Sequence, residues 1–182
     1  IAGANCSALL GNFEYAESRL RKIVRRFPGN SSAWFNLGNA VRDQGRLEEA
    51  AALFTRTTQL DPQHAEAYNN LGGVLHALER FDIAETAYRR ASALRPDDTI
   101  ARCNLASVLI DMGKFADAEI VSREALKIDA SFIAAHSTLA AALSGQGRLI
   151  EALPVYRSAA DLSSEDPRLL VAYGSALFEA GE

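Results

Sequence analysis

The sequence predicts an all-α protein, an α-solenoid of antiparallel helix hairpins, and three observations predict it. The first is a motif that returns every 34 residues: Trp34-Phe-Asn-Leu37-Gly38, Tyr68-Asn-Asn-Leu71-Gly72, Arg102-Cys-Asn-Leu105-Ala106, His136-Ser-Thr-Leu139-Ala140 and Leu170-Val-Ala-Tyr173-Gly174. A fixed period of that length marks stacked structural repeats. The second is helical spacing inside each half-unit. Trp34, Leu37, Gly38 and Val41 stand at i, i+3, i+4 and i+7, and Leu47, Ala50, Phe54 and Thr57 also share one face. The third is composition: alanine and leucine dominate while glycine and proline are sparse, which favours helix.

The elements follow in order as one repeat array over residues 1–182. Residues 1–30 form a partial repeat. Gly11-Asn-Phe-Glu-Tyr-Ala16 matches the second-half element Gly45-Arg-Leu-Glu-Glu-Ala50, so a turn is expected at Gly11 with a helix after it. That helix carries the basic run Arg19, Arg21, Lys22, Arg25 and Arg26, which follows Glu14 and Glu17. Acid early and base late suits the helix dipole, and the run reads as a solvated face.

Full repeats are expected at 31–64, 65–98, 99–132 and 133–166, each a pair of helices. Asn30, Asp98 and Asp166 precede first helices, where a side-chain oxygen can cap free N–H groups. Gly45, Gly113 and Gly147 permit the tight mid-unit turn, whereas Glu79 stands in that place in the second full repeat. Repeats close near Pro28, Pro62 and Pro96, a pattern that Ala130 and Ser164 break. Small residues such as Gly38, Ala50, Gly72, Ala84, Ala106 and Ala118 recur where helices nearly touch. Trp34, Phe54, Tyr68, Tyr88 and Tyr156 recur where gaps need filling.

The repeat 99–132 matches least well, since Arg102 and Ser122 occupy large-apolar positions. Amide hydrogen exchange over residues 99–136 is expected to be faster than over 31–95; equal protection would overturn this. Pro154 lies inside a predicted second helix and removes one backbone bond, so a kink or a late helix start is expected. Pro167 opens a half repeat, 167–182, that shows no polar face fit for a solenoid cap. The chain begins with Ile1 and has no visible signal peptide; it reads as a piece of a parent protein that continues in both directions.

The period and these positions resemble the tetratricopeptide repeat over the whole chain. The resemblance implies a right-handed superhelix whose first helices line a concave groove that binds a protein or an extended peptide. On that reading the groove residues are Asn36, Asn70 and Asn104, one per repeat, with Thr138 and Ala172 next in the series. Phe35, Asn39, Asn69, His76 and Cys103 are neighbouring candidates. A carboxamide both donates and accepts, so a row of them can pair with a peptide backbone whatever its side chains. The alternative is that these asparagines bond neighbouring helices. The segment Ala67-Tyr68-Asn69-Asn70-Leu71-Gly72 looks like repeats of O-GlcNAc-transferase-type glycosyltransferases, which would make the array a substrate-presenting arm of a larger enzyme. A carboxylate clamp of the chaperone-binding kind is disfavoured, because Arg42 and Arg168 stand far apart.

Other classes find little support. Net charge is -4, which gives no reason to expect nucleic acid or an anionic membrane as partner. Cys6 and Cys103 lie far apart and form no metal-ligand spacing, so neither a disulfide framework nor a zinc site is expected, and a reducing, cytoplasmic setting is favoured. No run of 18 apolar residues is present. No nucleotide-binding, zincin or nucleophile motif appears, so no cofactor, metal or catalytic residue is expected. His64 reads as a turn residue, His136 as a packing residue and only His76 as a groove candidate. The uncapped ends could also stack on a second copy.

Overall fold

The computed structural model describes residues 2–162 together with 171, 174, 175 and 177; for residues 2–13 it describes the backbone alone. The expectations for Ser164, Asp166, Pro167, Arg168 and Ala172, and for the Cys6 side chain, lie outside the described residues. Nine helices occur among those described, and no strand: α1 (Ala2–Arg26), α2 (Ser31–Arg42), α3 (Leu47–Leu60), α4 (Ala65–Ala77), α5 (Phe81–Leu94), α6 (Thr99–Asp111), α7 (Phe115–Ile128), α8 (Ile133–Gly145) and α9 (Leu149–Leu162). The first helices of the four full repeats begin at Ser31, Ala65, Thr99 and Ile133, the expected starts. Two compact units result, Ile1–Leu94 with α1 to α5 and Arg95–Glu182 with α6 to α9.

The first unit is a run of neighbouring antiparallel helices, α1 on α2, α2 on α3, α3 on α4 and α4 on α5. Close approach is set by glycine against an aromatic ring. A Cβ at Gly38 would lie 2.7 Å from Cε1 of Phe54, and one at Gly72 would lie 2.7 Å from Cδ1 of Tyr88. Both rings are buried, and burial pushes the Tyr88 phenol up to about 12. In the second unit α6 packs on α7, α7 on α8, α8 on α9, and the two first helices α6 and α8 also touch. Alanines stand at the contacts there: Ala106, Ala118, Ala125, Ala140, Ala152 and Ala159 are fully enclosed.

Caps form as the sequence expects. Asn30 Oδ1 accepts from the Ala33 N–H at 3.0 Å, and Asp98 Oδ1 accepts from Ala101 at 3.0 Å. His64 is more than a turn residue: its Nδ1 accepts from the Ala67 N–H at 3.2 Å and so caps α4. The motif aromatics carry a further bond. The Trp34 indole N–H donates to the Pro28 carbonyl at 2.9 Å, and His136 Nε2 lies 2.9 Å from the Ala130 carbonyl six residues before it. His136 thereby repeats the tryptophan's bond, which requires its proton on Nε2.

Two expectations are corrected. No turn forms at Gly11; α1 runs unbroken from Ala2 to Arg26. Glycine permits a turn without imposing one, and carrying it inside a helix costs only about 1 kcal/mol relative to alanine. Nor does Pro154 delay its helix, because α9 starts at Leu149 with the 14-residue length of α3, α5 and α7. The proline is exposed, so water can serve the carbonyl that loses its partner.

The mid-unit turns are left-handed. Gly45, Gly113 and Gly147 have φ of 77°, 71° and 74°, and Glu79 is forced into the same region at 58°. An L-residue there costs roughly 1–2 kcal/mol, part of which glycine gives back through its freer unfolded chain. Glu79→Gly is therefore expected to stabilise by about 1 kcal/mol, a rise of a few degrees in Tm. A lower Tm in a thermal melt would contradict this.

Repeat 99–132 shows its mismatches in the structure. Arg102 lies largely buried at the aromatic position, its Nε 3.8 Å from Glu124 and its Nη1 buried without a partner. Ser122 is fully buried and donates to Thr138 Oγ1 at 2.8 Å.

Candidate functional site

The asparagine series divides between the two units. In the first unit, Asn36 sits mid-α2 and is exposed, with Asn39 one turn further on and half-buried. Asn70, the residue equivalent to Asn36, projects from α4 and donates from Nδ2 to Asn39 Oδ1 at 2.9 Å. Two successive first helices are thus tied by a carboxamide pair. That bond uses one acceptor on Asn39 and one donor on Asn70. The Asn39 amide N–H groups and the Asn70 carbonyl oxygen keep further capacity, so the pair offers a donor and an acceptor in fixed orientation.

The residue equivalent to Asn39 in the next repeat is Gly73, which has no side chain to repeat the tie. Asn104 is half-buried on α6 in the second unit. Thr138, next in the series, is buried, donates to the Ala135 carbonyl at 3.2 Å and accepts from Ser122. A small hydroxyl residue at this position turns inward onto α7 where the longer amides reach outward.

Two neighbouring candidates are corrected. Phe35 is 9% exposed, its ring centroid 4.7 Å from His64 and 5.9 Å from Phe54. It is a packing residue, not a groove residue. Cys103 holds the equivalent place on α6 and is also buried, in a cluster with Ala125 and Ala135. Burial pushes its thiol up to about 11 against a hydrogen bond with Thr138 that lowers it, so little thiolate forms near neutrality. The cause is helical phase: the residue after the motif aromatic points into the hairpin. Asn69 shares that position and is half-buried. His76, in the last turn of α4, stands edge-on to Phe81 at 5.7 Å and is half-buried.

The sequence reading missed a charged cluster beside α1. Glu17 is 8% exposed. Its carboxylate accepts from Gln44 Nε2 at 2.8 Å, from Arg21 Nη2 at 2.7 Å and from Arg46 Nη1 at 2.9 Å. Glu49 pairs with both arginines. Burial pushes the Glu17 carboxyl up, but the bonds from Gln44, Arg21 and Arg46 outweigh it and hold the group at about 2. Arg21 therefore belongs to an ion network and not to a merely solvated face. The arrangement recurs in the second unit, where Glu119 accepts from Gln146 at 2.9 Å and from Arg148 at 2.6 Å, and Arg148 pairs with Glu151. Gln146 and Arg148 hold the Glu119 carboxyl below its usual range. The signal was present as Gln44-Gly-Arg-Leu-Glu-Glu-Ala50 and Gln146-Gly-Arg-Leu-Ile-Glu-Ala152.

Among the described residues, no group of His, Cys, Asp and Glu is placed to hold a metal, and no helix is long and apolar enough to cross a membrane.

Family models described as tetratricopeptide repeat match residues 10–65 and 43–82, 63–131, and 133–158. Among solved structures, a MamA protein is 25% identical with a TM-score of 0.79 and coverage of 90% of each chain. YrrB, described as a tetratricopeptide-repeat protein with an unusual peptide-binding site, is 22% identical with a TM-score of 0.80, covering 94% of this chain and 89% of its own. A thermophilic tetratricopeptide-repeat protein of Thermus thermophilus is 23% identical with a TM-score of 0.70, covering 97% and 96%. No curated protein matches the sequence.

Proposed function

Because this chain belongs to the tetratricopeptide repeat family, we propose that it is a binding module that holds an extended protein segment against α2 and α4. The observation that carries the reading is the Asn39–Asn70 carboxamide pair with exposed Asn36 beside it. An extended peptide presents alternating N–H and C=O groups, which an amide pair fixed in orientation can meet without regard to side chains. The fixed orientation also lowers the ordering cost of binding. That a protein of the same fold carries a peptide-binding site supports the reading. On the second unit, Asn104 offers the same chemistry on α6.

The test starts from a random peptide-display library selected on the whole chain. Changing Asn36, Asn39 and Asn70 together to alanine is expected to weaken the selected peptide by about 100-fold, at on the order of 1 kcal/mol for each lost net hydrogen bond. Helicity by circular dichroism should be unchanged. Equal affinity in the triple variant would remove the asparagines from the site.

A second reading, a substrate-presenting arm of a glycosyltransferase, is favoured by Tyr68-Asn69-Asn70-Leu71-Gly72 alone. It requires a catalytic domain on the same polypeptide, which the parent gene would reveal.

A further inference from the structure

Two glycines stand side by side in α4, and only the first has a packing reason. A Cβ at Gly72 would lie 2.7 Å from the Tyr88 ring, so the approach of α5 requires glycine there. A Cβ at Gly73 would meet only the Tyr88 hydroxyl oxygen, at 3.5 Å, an ordinary contact. Gly73 is exposed, lies inside the helix Ala65–Ala77 and does not have the positive φ of the turn glycines. Glycine is a poor helix former beside alanine, and a local rule broken with no gain in packing points to a site. The remaining use of glycine is to let a second backbone come close.

The hydroxyl beside Gly73 is an independent observation. Tyr88 is 3% exposed, and among the described residues its hydroxyl has no hydrogen-bond partner. Nor is it one of the unpartnered polar atoms sealed from solvent, which belong to Ser92, Arg102 and Ser144. The oxygen therefore reaches the surface next to Gly73. Burial of the ring pushes the phenol up to about 12, so the group stays protonated and can donate at neutral pH. The preceding repeat has neither feature, since Phe54 stands for Tyr88 and Asn39 for Gly73. Asn70, which holds the Asn39 amide, lies three residues before Gly73 on the same face of α4.

We propose that Gly73 and Tyr88 form the subsite where the backbone of the bound segment comes closest to α4, with the Tyr88 hydroxyl donating to one of its carbonyl oxygens. The proposal rests on the reading of α2 and α4 as a surface for an extended segment. An acceptor in the space that a methyl on Gly73 would fill is within reach of the hydroxyl. Glycine and hydroxyl thus act together: the first admits the carbonyl and the second binds it. The contact uses a main-chain group, so it fixes where the segment lies without dictating its side chains.

The probe is a peptide selected on the whole chain from a random display library, with affinity read by fluorescence anisotropy and stability by thermal melt. Gly73→Ala is expected to raise Tm by a few degrees, because alanine is the better helix former. The same change should weaken the peptide at least about 10-fold, because the methyl takes the acceptor's space. Tyr88→Phe keeps the ring on Gly72, as Phe54 does on Gly38. It should weaken the peptide about 5-fold, the loss of one net hydrogen bond, without lowering Tm. With the methyl present the hydroxyl is already out of reach, so the double variant should bind no more weakly than Gly73→Ala alone. A gain in stability with a loss of affinity separates contact with the segment from a structural role. Wild-type affinity in Gly73→Ala, a fall in its Tm, or additive losses in the double variant would each overturn the proposal. Binding lost in the Asn36, Asn39 and Asn70 alanine variant but kept in Gly73→Ala and Tyr88→Phe would leave the asparagine site standing and remove this subsite. The converse result would keep the subsite and remove the asparagines. A library that yields no binding peptide would overturn both.

Discussion

Phe54→Ala is expected to lower stability by about 3–5 kcal/mol, the range for deleting a buried aromatic ring. The ring is fully enclosed and lies against the α2 backbone at Gly38 and against the tilted ring of Phe35. Removing it leaves a cavity that two helices joined by a short turn cannot easily close. A domain stable by only 5–15 kcal/mol would show this as a large fall in urea midpoint. A loss under about 1 kcal/mol would mean the hairpin repacks freely. The partner position gives a sharper check. Gly38→Ala alone should cost about 1–3 kcal/mol, because its methyl meets the ring at 2.7 Å. In the Phe54→Ala background the same methyl has room and alanine is the better helix former by about 1 kcal/mol. The two changes should therefore be non-additive, with coupling of opposite sign to simple accumulation of damage. In a repeat protein the loss should also be local, with faster hydrogen exchange in α2 and α3 first.

The fold was legible because two signals agreed in one frame. The 34-residue period placed the first-helix starts at Ser31, Ala65, Thr99 and Ile133, and capping residues at Asn30 and Asp98 marked two of them independently. Local signals without that support were weaker guides. Gly11 matched the turn glycine of later repeats, yet the helix passes through it, since backbone freedom alone does not reverse a chain. The geometry around the proposed site was only partly legible. Repeat register singled out Asn36 and Asn70 as equivalent positions, and the fold joins Asn70 to Asn39. It could not separate outward from inward neighbours, because a step of one residue turns a helical side chain by 100°. Phe35 and Cys103 were assigned outward on that account and point in. The Glu17 cluster was illegible from helix-by-helix reading, since its members lie on α1, on α3 and in the turn before α3. Comparison of Gln44-Gly-Arg with Gln146-Gly-Arg was the signal that would have found it.

Glu17→Gln is expected to destabilise by on the order of 2 kcal/mol at neutral pH, after discounting for the partial exposure of its arginine partners. The pH dependence follows from the direction of the shift. The folded carboxyl lies at about 2, below its usual 4.5. A depressed carboxylate contributes fully above the unfolded value and loses that contribution as pH falls through the folded one. The difference between wild type and variant should thus be constant above about pH 5 and shrink toward pH 2. Glu49, Glu119 and Glu151 are shifted in the same direction, so wild-type stability should fall across the same acid window. A variant whose deficit persists unchanged at pH 2.5 would show that Glu17 acts through shape and not charge. The protein also contains a form of this junction without the carboxylates, in which Thr55 stands for Arg21 and Arg80 keeps the place of Arg46. One repeat on, Ala51 stands for Glu17, Leu78 for Gln44 and Ile83 for Glu49. Those helices pack without the network, which fits the rule that apolar replacement of a whole buried charge cluster is often neutral. Glu17→Ala combined with Arg21→Thr, Gln44→Leu and Glu49→Ile, the side chains found one repeat on, should therefore recover much of the stability lost in Glu17→Gln and remove this cluster's share of the acid dependence. Recovery of stability with the acid dependence intact would shift that dependence to Glu119 and the second unit.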